Sequence, residues 1–104
     1  MKRKVILSKR ASHKLDVLFN YLQSNWSQNV KTSFIEKLDK KLEMIKENPE
    51  IFPKSNIIKG LHKCVITKQT TLYYLFDDFT ISIVTIFFNK QNPNALMNEI
   101  NKDD

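Results

Sequence analysis

The chain has one glycine, one cysteine, two histidines and three prolines among 104 residues. A single glycine, Gly60, excludes a glycine-rich phosphate loop, which needs several small residues so that backbone amides can cradle the anion. A single cysteine, Cys64, cannot form an internal disulfide, and the expected setting is a reducing cytoplasm. Two histidines and one cysteine, widely scattered, are too few for a metal cluster, so no metal and no cofactor is expected. Long apolar runs are missing too. Basic residues precede Val5-Ile6-Leu7, but three apolar residues make neither a signal peptide nor a membrane span, and no membrane partner is expected.

Acidic residues are absent from two stretches. Residues 1–14 carry Lys2, Arg3, Lys4, Lys9, Arg10 and Lys14 without an acid, and residues 53–72 carry Lys54, Lys59, Lys63 and Lys68 without one. Residues 28–50 are balanced, five Lys against five Asp or Glu. The net charge of +6 is therefore concentrated on the N-terminal segment and on the approach to residue 64. Such asymmetry favours an anionic partner, either nucleic acid or an acidic protein. Apolar residues at 41% and charged residues at 27% fit a globular chain with one modest core.

The apolar pattern gives the element order. Lys4–Leu7 reads as a short strand, and Ser8 offers a hydroxyl to cap a helix. Ala11, Leu15, Leu18, Phe19, Leu22 and Trp26 recur at helical spacing, as do Val30, Phe34, Leu38, Leu42 and Ile45. The polar turn between the two series predicts an antiparallel helix hairpin. Asn48-Pro49 ends the second helix, because a residue before proline avoids helical geometry. Three apolar runs follow, Cys64–Ile66, Leu72–Phe76 and Phe79–Phe88, joined by short polar connections, and read as an antiparallel meander. The last run is apolar on both faces, which places it inside the sheet with the first strand beside it. The predicted fold class is α+β, β-α-α-β-β-β, with the helix hairpin packed on one face of a small antiparallel sheet.

These residues resemble the RelE/ParE superfamily of toxins from type II toxin–antitoxin systems. The likeness rests on the element order, on Ile45-Lys46-Glu47-Asn48-Pro49, on Gly60-Leu61-His62-Lys63, on Tyr73-Tyr74 and on Ile86-Phe87-Phe88-Asn89-Lys90-Gln91-Asn92-Pro93. It implies a single toxin domain over residues 3–97, with 98–104 as a flexible tail. It also implies a growth inhibitor held inactive by a cognate acidic antitoxin, assembled as a dimer or as a heterotetramer with that antitoxin. Within the superfamily, RelE-like members cut messenger RNA on the ribosome, whereas ParE-like members bind and inhibit DNA gyrase. An inactive relative that only binds antitoxin is the third alternative. RelE-like nucleases often use a C-terminal Tyr or His, and none follows Tyr74 here. That places gyrase ahead of the ribosome as the expected target.

Ribonucleolytic cleavage needs a base, an acid and cations for the phosphorane charge. His62 is the candidate catalytic residue, because imidazole titrates near neutrality. Lys59, Lys63, Lys90 and Gln91 are the candidate contacts to RNA or to a protein target, Lys90 standing where the family commonly has an arginine. Cys64, two residues from His62 on an extended segment, shares its face. A thiol in so apolar a run reads first as a small buried hydrophobe.

Overall fold

A computed structural model describes residues 3–56 and 58–88. The chain order is β1 (Lys4–Leu7), α1 (Lys9–Asn25), α2 (Gln28–Glu47), a 3-10 turn (Pro49–Ile51), β2 (His62–Thr67), β3 (Thr70–Phe76) and β4 (Thr80–Phe88). The strands form one sheet in the order β1-β4-β3-β2. β4 is thus an inner strand, as its two apolar faces require.

Ser8 joins the first strand to the first helix. Its backbone is extended, so it ends the strand, and its Oγ accepts the Ala11 amide at 2.9 Å to cap α1. The same hydroxyl donates to the Val84 carbonyl at 2.7 Å. The helices are linked only by Trp26 and Ser27, and Ser27 caps α2 through the Val30 amide at 3.1 Å. α2 brings the chain back to the end of the sheet where β1 begins, with the Arg3 amide donating to the Lys46 carbonyl. β2, and with it β4, therefore sets out in the direction of β1. The meander is antiparallel as expected, but β1 pairs with β4 in parallel, so the sheet is mixed rather than wholly antiparallel.

The core lies between the helix hairpin and one sheet face. Ala11, Leu15, Leu18 and Leu22 from α1 meet Phe34, Leu38 and Ile45 from α2, and Cys64, Ile66, Leu72, Tyr74, Ile81, Ile83 and Ile86 from the sheet. Each fully buried Leu or Ile contributes about 1.5–3 kcal/mol. Two residues of the helical stripes stay outside it. Trp26, in the link between the helices, is 60% exposed, and Val30, in the first turn of α2, is 38% exposed.

Strict alternation along β4 also breaks. Ile81, Ile83 and Ile86 share the core face because Val84 is an extra residue, with Tyr73 paired to Thr85 and Tyr74 to Ile83. A bulge of this kind shifts the side-chain alternation by one position. Thr85 is consequently buried on the far side of the bulge, where Lys14 Nζ donates to its Oγ1 at 3.0 Å.

Tyr74 ties α2 to the sheet. Its ring is fully buried, and its hydroxyl donates to the Pro49 carbonyl at 2.7 Å. Tyr74→Phe keeps the ring and leaves that carbonyl without its donor. The expected loss is about 1–2 kcal/mol, measured as a lower urea midpoint with an unchanged m-value.

Candidate active-site cleft

The site is built by the segment between α2 and β2. Asn48 closes α2 by donating its amide to the Met44 carbonyl, and Pro49 opens the 3-10 turn, where its missing N–H costs nothing. The chain then lies along the outer edge of β2. The Lys63 amide donates to the Pro53 carbonyl at 2.9 Å, the Ser55 amide donates to the Leu61 carbonyl at 2.6 Å, and Lys54 bridges His62. Gly60, the one described residue with positive φ (88°), makes the turn back. Open space surrounds the position of an added Cβ there, so backbone conformation and not crowding calls for glycine.

This pairing positions His62. Its Nδ1 lies 2.8 Å from the Phe52 carbonyl oxygen. A carbonyl only accepts, so Nδ1 carries the hydrogen and Nε2 is the acceptor of the neutral ring. The ring stacks on Tyr74 at 5.4 Å and meets Phe76 at 5.2 Å. One edge of the imidazole is thus fastened, and His62 lines a cleft of about 490 Å³ together with Glu50, Lys54, Gly60, Leu75 and Phe76. A carboxylate, an ammonium group and an imidazole share one opening. Chemically, that set can accept a proton, hold an anion and donate a proton.

The other groups near His62 are held out of acid–base chemistry. Cys64 is fully buried, and burial pushes its thiol from 9.0 to about 11 despite the opposing charge of Lys41. A protonated, inaccessible thiol is no nucleophile. Burial, with a smaller effect of Cys64, also raises the Tyr74 phenol well above its usual 10.0. Among the described residues no group of three His, Cys, Asp or Glu is placed to hold a metal ion.

The remaining sequence candidates are dispersed. His62 and Lys63 are neighbours in the chain, but strand alternation puts Lys63 on the face away from the helices. Lys59 is exposed beside Gly60. Lys90 and Gln91 lie outside the described residues, as do the tail at 98–104 and all of 89–104. Phe88, the last described residue of β4, pairs with Thr70, whereas His62 pairs with Tyr74. The end of β4 and the start of β2 are thus at opposite ends of the sheet. Glu50 and Lys54 are additions that sequence reasoning missed. Their one signal is the double break Asn48-Pro49 and Phe52-Pro53, which turns the chain just before β2.

The turn between β3 and β4 closes the adjoining corner. Asp77 Oδ1 accepts the amides of Phe79 and Thr80, each at 2.8 Å, and the Thr80 hydroxyl at 3.0 Å. These bonds hold its carboxyl below the usual 3.8, with a further small effect of Arg3. Arg3 Nε donates to the Asp77 carbonyl, and the guanidinium lies 5.8 Å from the centre of the Phe76 ring.

A helix hairpin on a four-stranded mixed sheet matches the fold of RelE/ParE-type toxins. The chain belongs to the ParE toxin family of type II toxin–antitoxin systems (parDE), whose family model matches residues 5–93. Solved structures share the fold at low sequence identity. The chromosomal ParDE system of Pseudomonas aeruginosa aligns with a TM-score of 0.68 at 8% identity, covering 86% of this chain and 98% of the other. The Staphylococcus aureus YoeB dimer aligns at 0.59 and 18% identity, covering 86% and 99%. The Escherichia coli DinJ–YafQ toxin–antitoxin complex aligns at 0.57 and 14% identity, covering 85% and 93%. No curated protein matches the sequence. No helix of the described residues is long and apolar enough to cross a membrane.

The raised thiol pKa sets a pH dependence. Cys64 titrates at 9.0 when unfolded and at about 11 when folded, so between these values the unfolded chain binds fewer protons. Its contribution to stability is complete below pH 9 and declines as pH rises through 11. The expected results are a melting temperature that falls from pH 8.5 to 10.5, a smaller fall in Cys64→Ala, and thiol labelling at pH 8 that occurs only in urea.

Proposed function

We propose that this protein is a cytoplasmic growth-inhibiting toxin that acts by binding DNA gyrase and is held inactive by an acidic antitoxin encoded beside it. The choice of a binding mode over a cutting mode rests on the sequence, where no Tyr or His follows Tyr74 to stand at the C-terminal position that RelE-like nucleases often use. His62 is fastened through Nδ1 to a backbone carbonyl, while the nearby Cys64 and Tyr74 hold their protons at neutral pH. The aromatic and thiol groups around the imidazole thus supply no second titrating partner. Lys59 and Lys63 are the proposed basic contacts to the target among the described residues, and Lys90 and Gln91 are further candidates from the sequence. A basic surface with +6 net charge suits an acidic antitoxin that folds as it binds. A dimer or a toxin–antitoxin heterotetramer is the proposed assembly.

A second reading, a RelE-like ribosome-dependent ribonuclease, is favoured by the cleft itself. Glu50, Lys54 and His62 line it together and match the base, cation and acid that phosphodiester cleavage requires. The two readings diverge on substitution. If the protein binds gyrase, purified toxin inhibits supercoiling, messenger RNA stays intact, and His62→Ala retains full toxicity. Lys59→Ala and Lys63→Ala then weaken inhibition. A ribonuclease gives codon-positioned cuts in a translating extract, and His62→Ala and Glu50→Gln each reduce cutting by about 100-fold or more. Normal growth under strong induction of folded protein would instead identify an inactive relative.

A further inference from the structure

A second groove opens where the first strand runs out. β1 pairs with β4 only from Thr80 to Ile83, so the last residues of β4 continue past its end, with α1 alongside them. The space between has a volume of about 310 Å³. Val17, Leu18, Ile86 and Phe87 give it an apolar lining, and His13 and Lys14 are its polar groups. No Asp or Glu lines it, and Asp16, the one acid of α1, lies outside the lining. The groove shares no residue with the His62 cleft.

Its cation and its aromatic ring are both braced. Lys14 Nζ donates to Thr85 Oγ1 at 3.0 Å and lies 4.6 Å from the centre of the Phe87 ring. That ring meets Tyr73 at 5.5 Å with the two planes at 90°, and it is nevertheless 51% exposed. Positive charge continues from the groove along the helix. Arg10 stands three residues before His13 and four before Lys14, and Lys9 stands four before His13, so these side chains are neighbours on the helix surface. Lys9, Arg10 and His13 are exposed, and none has an ion-pair partner among the described residues. A row of cations alone is an ordinary solvated face. A row that ends on a braced, exposed ring is the combination that holds a nucleic acid strand, with phosphates on the cations and a base on the ring.

We propose that the α1–β4 groove binds single-stranded DNA, with a base against Phe87 and the adjoining phosphates on Lys14, Arg10 and Lys9. The spacing suits this ligand. Arg10 and Lys14 are about 6 Å apart along the helix axis, roughly two nucleotides at the 3.4 Å rise of a stacked strand. A duplex keeps its bases stacked inside, so it would use the cations and leave the apolar lining without a contact. RNA gains nothing over DNA here, because no lining residue carries a carboxylate or amide oxygen to read a ribose 2′-hydroxyl. An acidic protein segment would meet the same cations, but a ring flanked by a cation suits a flat base better than an aliphatic side chain. The inference depends neither on the gyrase reading nor on the chemistry of the His62 cleft.

The test is the fluorescence anisotropy of a short labelled single-stranded DNA of mixed sequence, titrated with the full chain at several salt concentrations. The expected dissociation constant is on the order of 10 μM at low salt, and it rises with salt along a log–log slope of about 2, roughly 0.7 for each of three phosphate contacts. Lys9→Gln combined with Arg10→Gln should flatten the slope by about 1.4. Lys37→Gln combined with Lys40→Gln, the same charge change on exposed residues of α2, should leave it at the parental value. Phe87→Ala should weaken binding by about 5–100-fold at an unchanged slope, and Phe87→Tyr should keep parental affinity. Phe87→Leu, which retains apolar bulk without the flat ring, should show the same loss as Phe87→Ala with the melting temperature of the parent.

No binding by the parent at low salt overturns the proposal, and so does equal flattening of the slope by the two double variants. Parental affinity in Phe87→Leu removes the base from the ring and overturns it as well. Binding of an RNA or a duplex of the same sequence that is tenfold tighter would assign the groove to that ligand instead. A chemical shift change of His13 and Phe87 on adding the purified product of an adjacent acidic reading frame, with none on adding DNA, would assign the groove to a protein. Either result overturns the assignment to single-stranded DNA.

Discussion

The Ser8 hydroxyl is the junction on which the architecture depends. It accepts the Ala11 amide in the first turn of α1 and donates to the Val84 carbonyl, while the Ser8 amide donates to the Ile83 carbonyl at 3.0 Å. One residue thus ends β1, starts the helix hairpin and fixes both to the inner strand β4. Val84 is the bulged residue of β4, so the hydroxyl is spent where the ladder leaves a carbonyl exposed. The bulge in turn sets which isoleucines face the helices. A change at Ser8 acts on cap, sheet register and helix placement together, although the side chain has a single oxygen.

The second dependency runs from Tyr74 to the cleft. The phenol holds the end of α2 against the sheet through Pro49, and the ring of the same residue forms one wall against His62. The first residues after α2 then pair with the start of β2 and deliver Phe52 to the imidazole. Glu50 and Lys54 come to the cleft as a consequence of that route. Burial serves the core here and also sets the chemistry, because it keeps thiol and phenol protonated and leaves the charged groups at the opening to do whatever the site does.

The elements were legible because their signals are local. Ser8 before an apolar helical stripe, Asn48-Pro49 after another, and three short apolar runs with polar turns suffice for boundaries and order. The tight link at Trp26-Ser27 was legible as a turn, but the exposure of Trp26 and Val30 outside the core was not. The Val84 bulge was invisible for a physical reason. Ile81 through Phe88 is apolar at nearly every position, and a run apolar on both faces carries no alternation to betray a slip. The site was legible only at His62. Glu50 and Lys54 join it through backbone pairing of an irregular segment, which leaves no periodic trace in residue types.

The pairing of residues 53–55 beside β2 has a consequence for the strand edges. A four-stranded sheet exposes two rows of unpaired backbone groups, and such rows invite other chains to add strands. Here the start of β2 is already occupied by Pro53–Ser55. At the opposite side β1 is only four residues long and begins with a lysine, and where it stops, Ser8 and Lys14 reach across to Val84 and Thr85 of β4. The irregular segment that builds the cleft therefore doubles as edge protection. Both edges are thereby shortened as templates for strand addition by another chain.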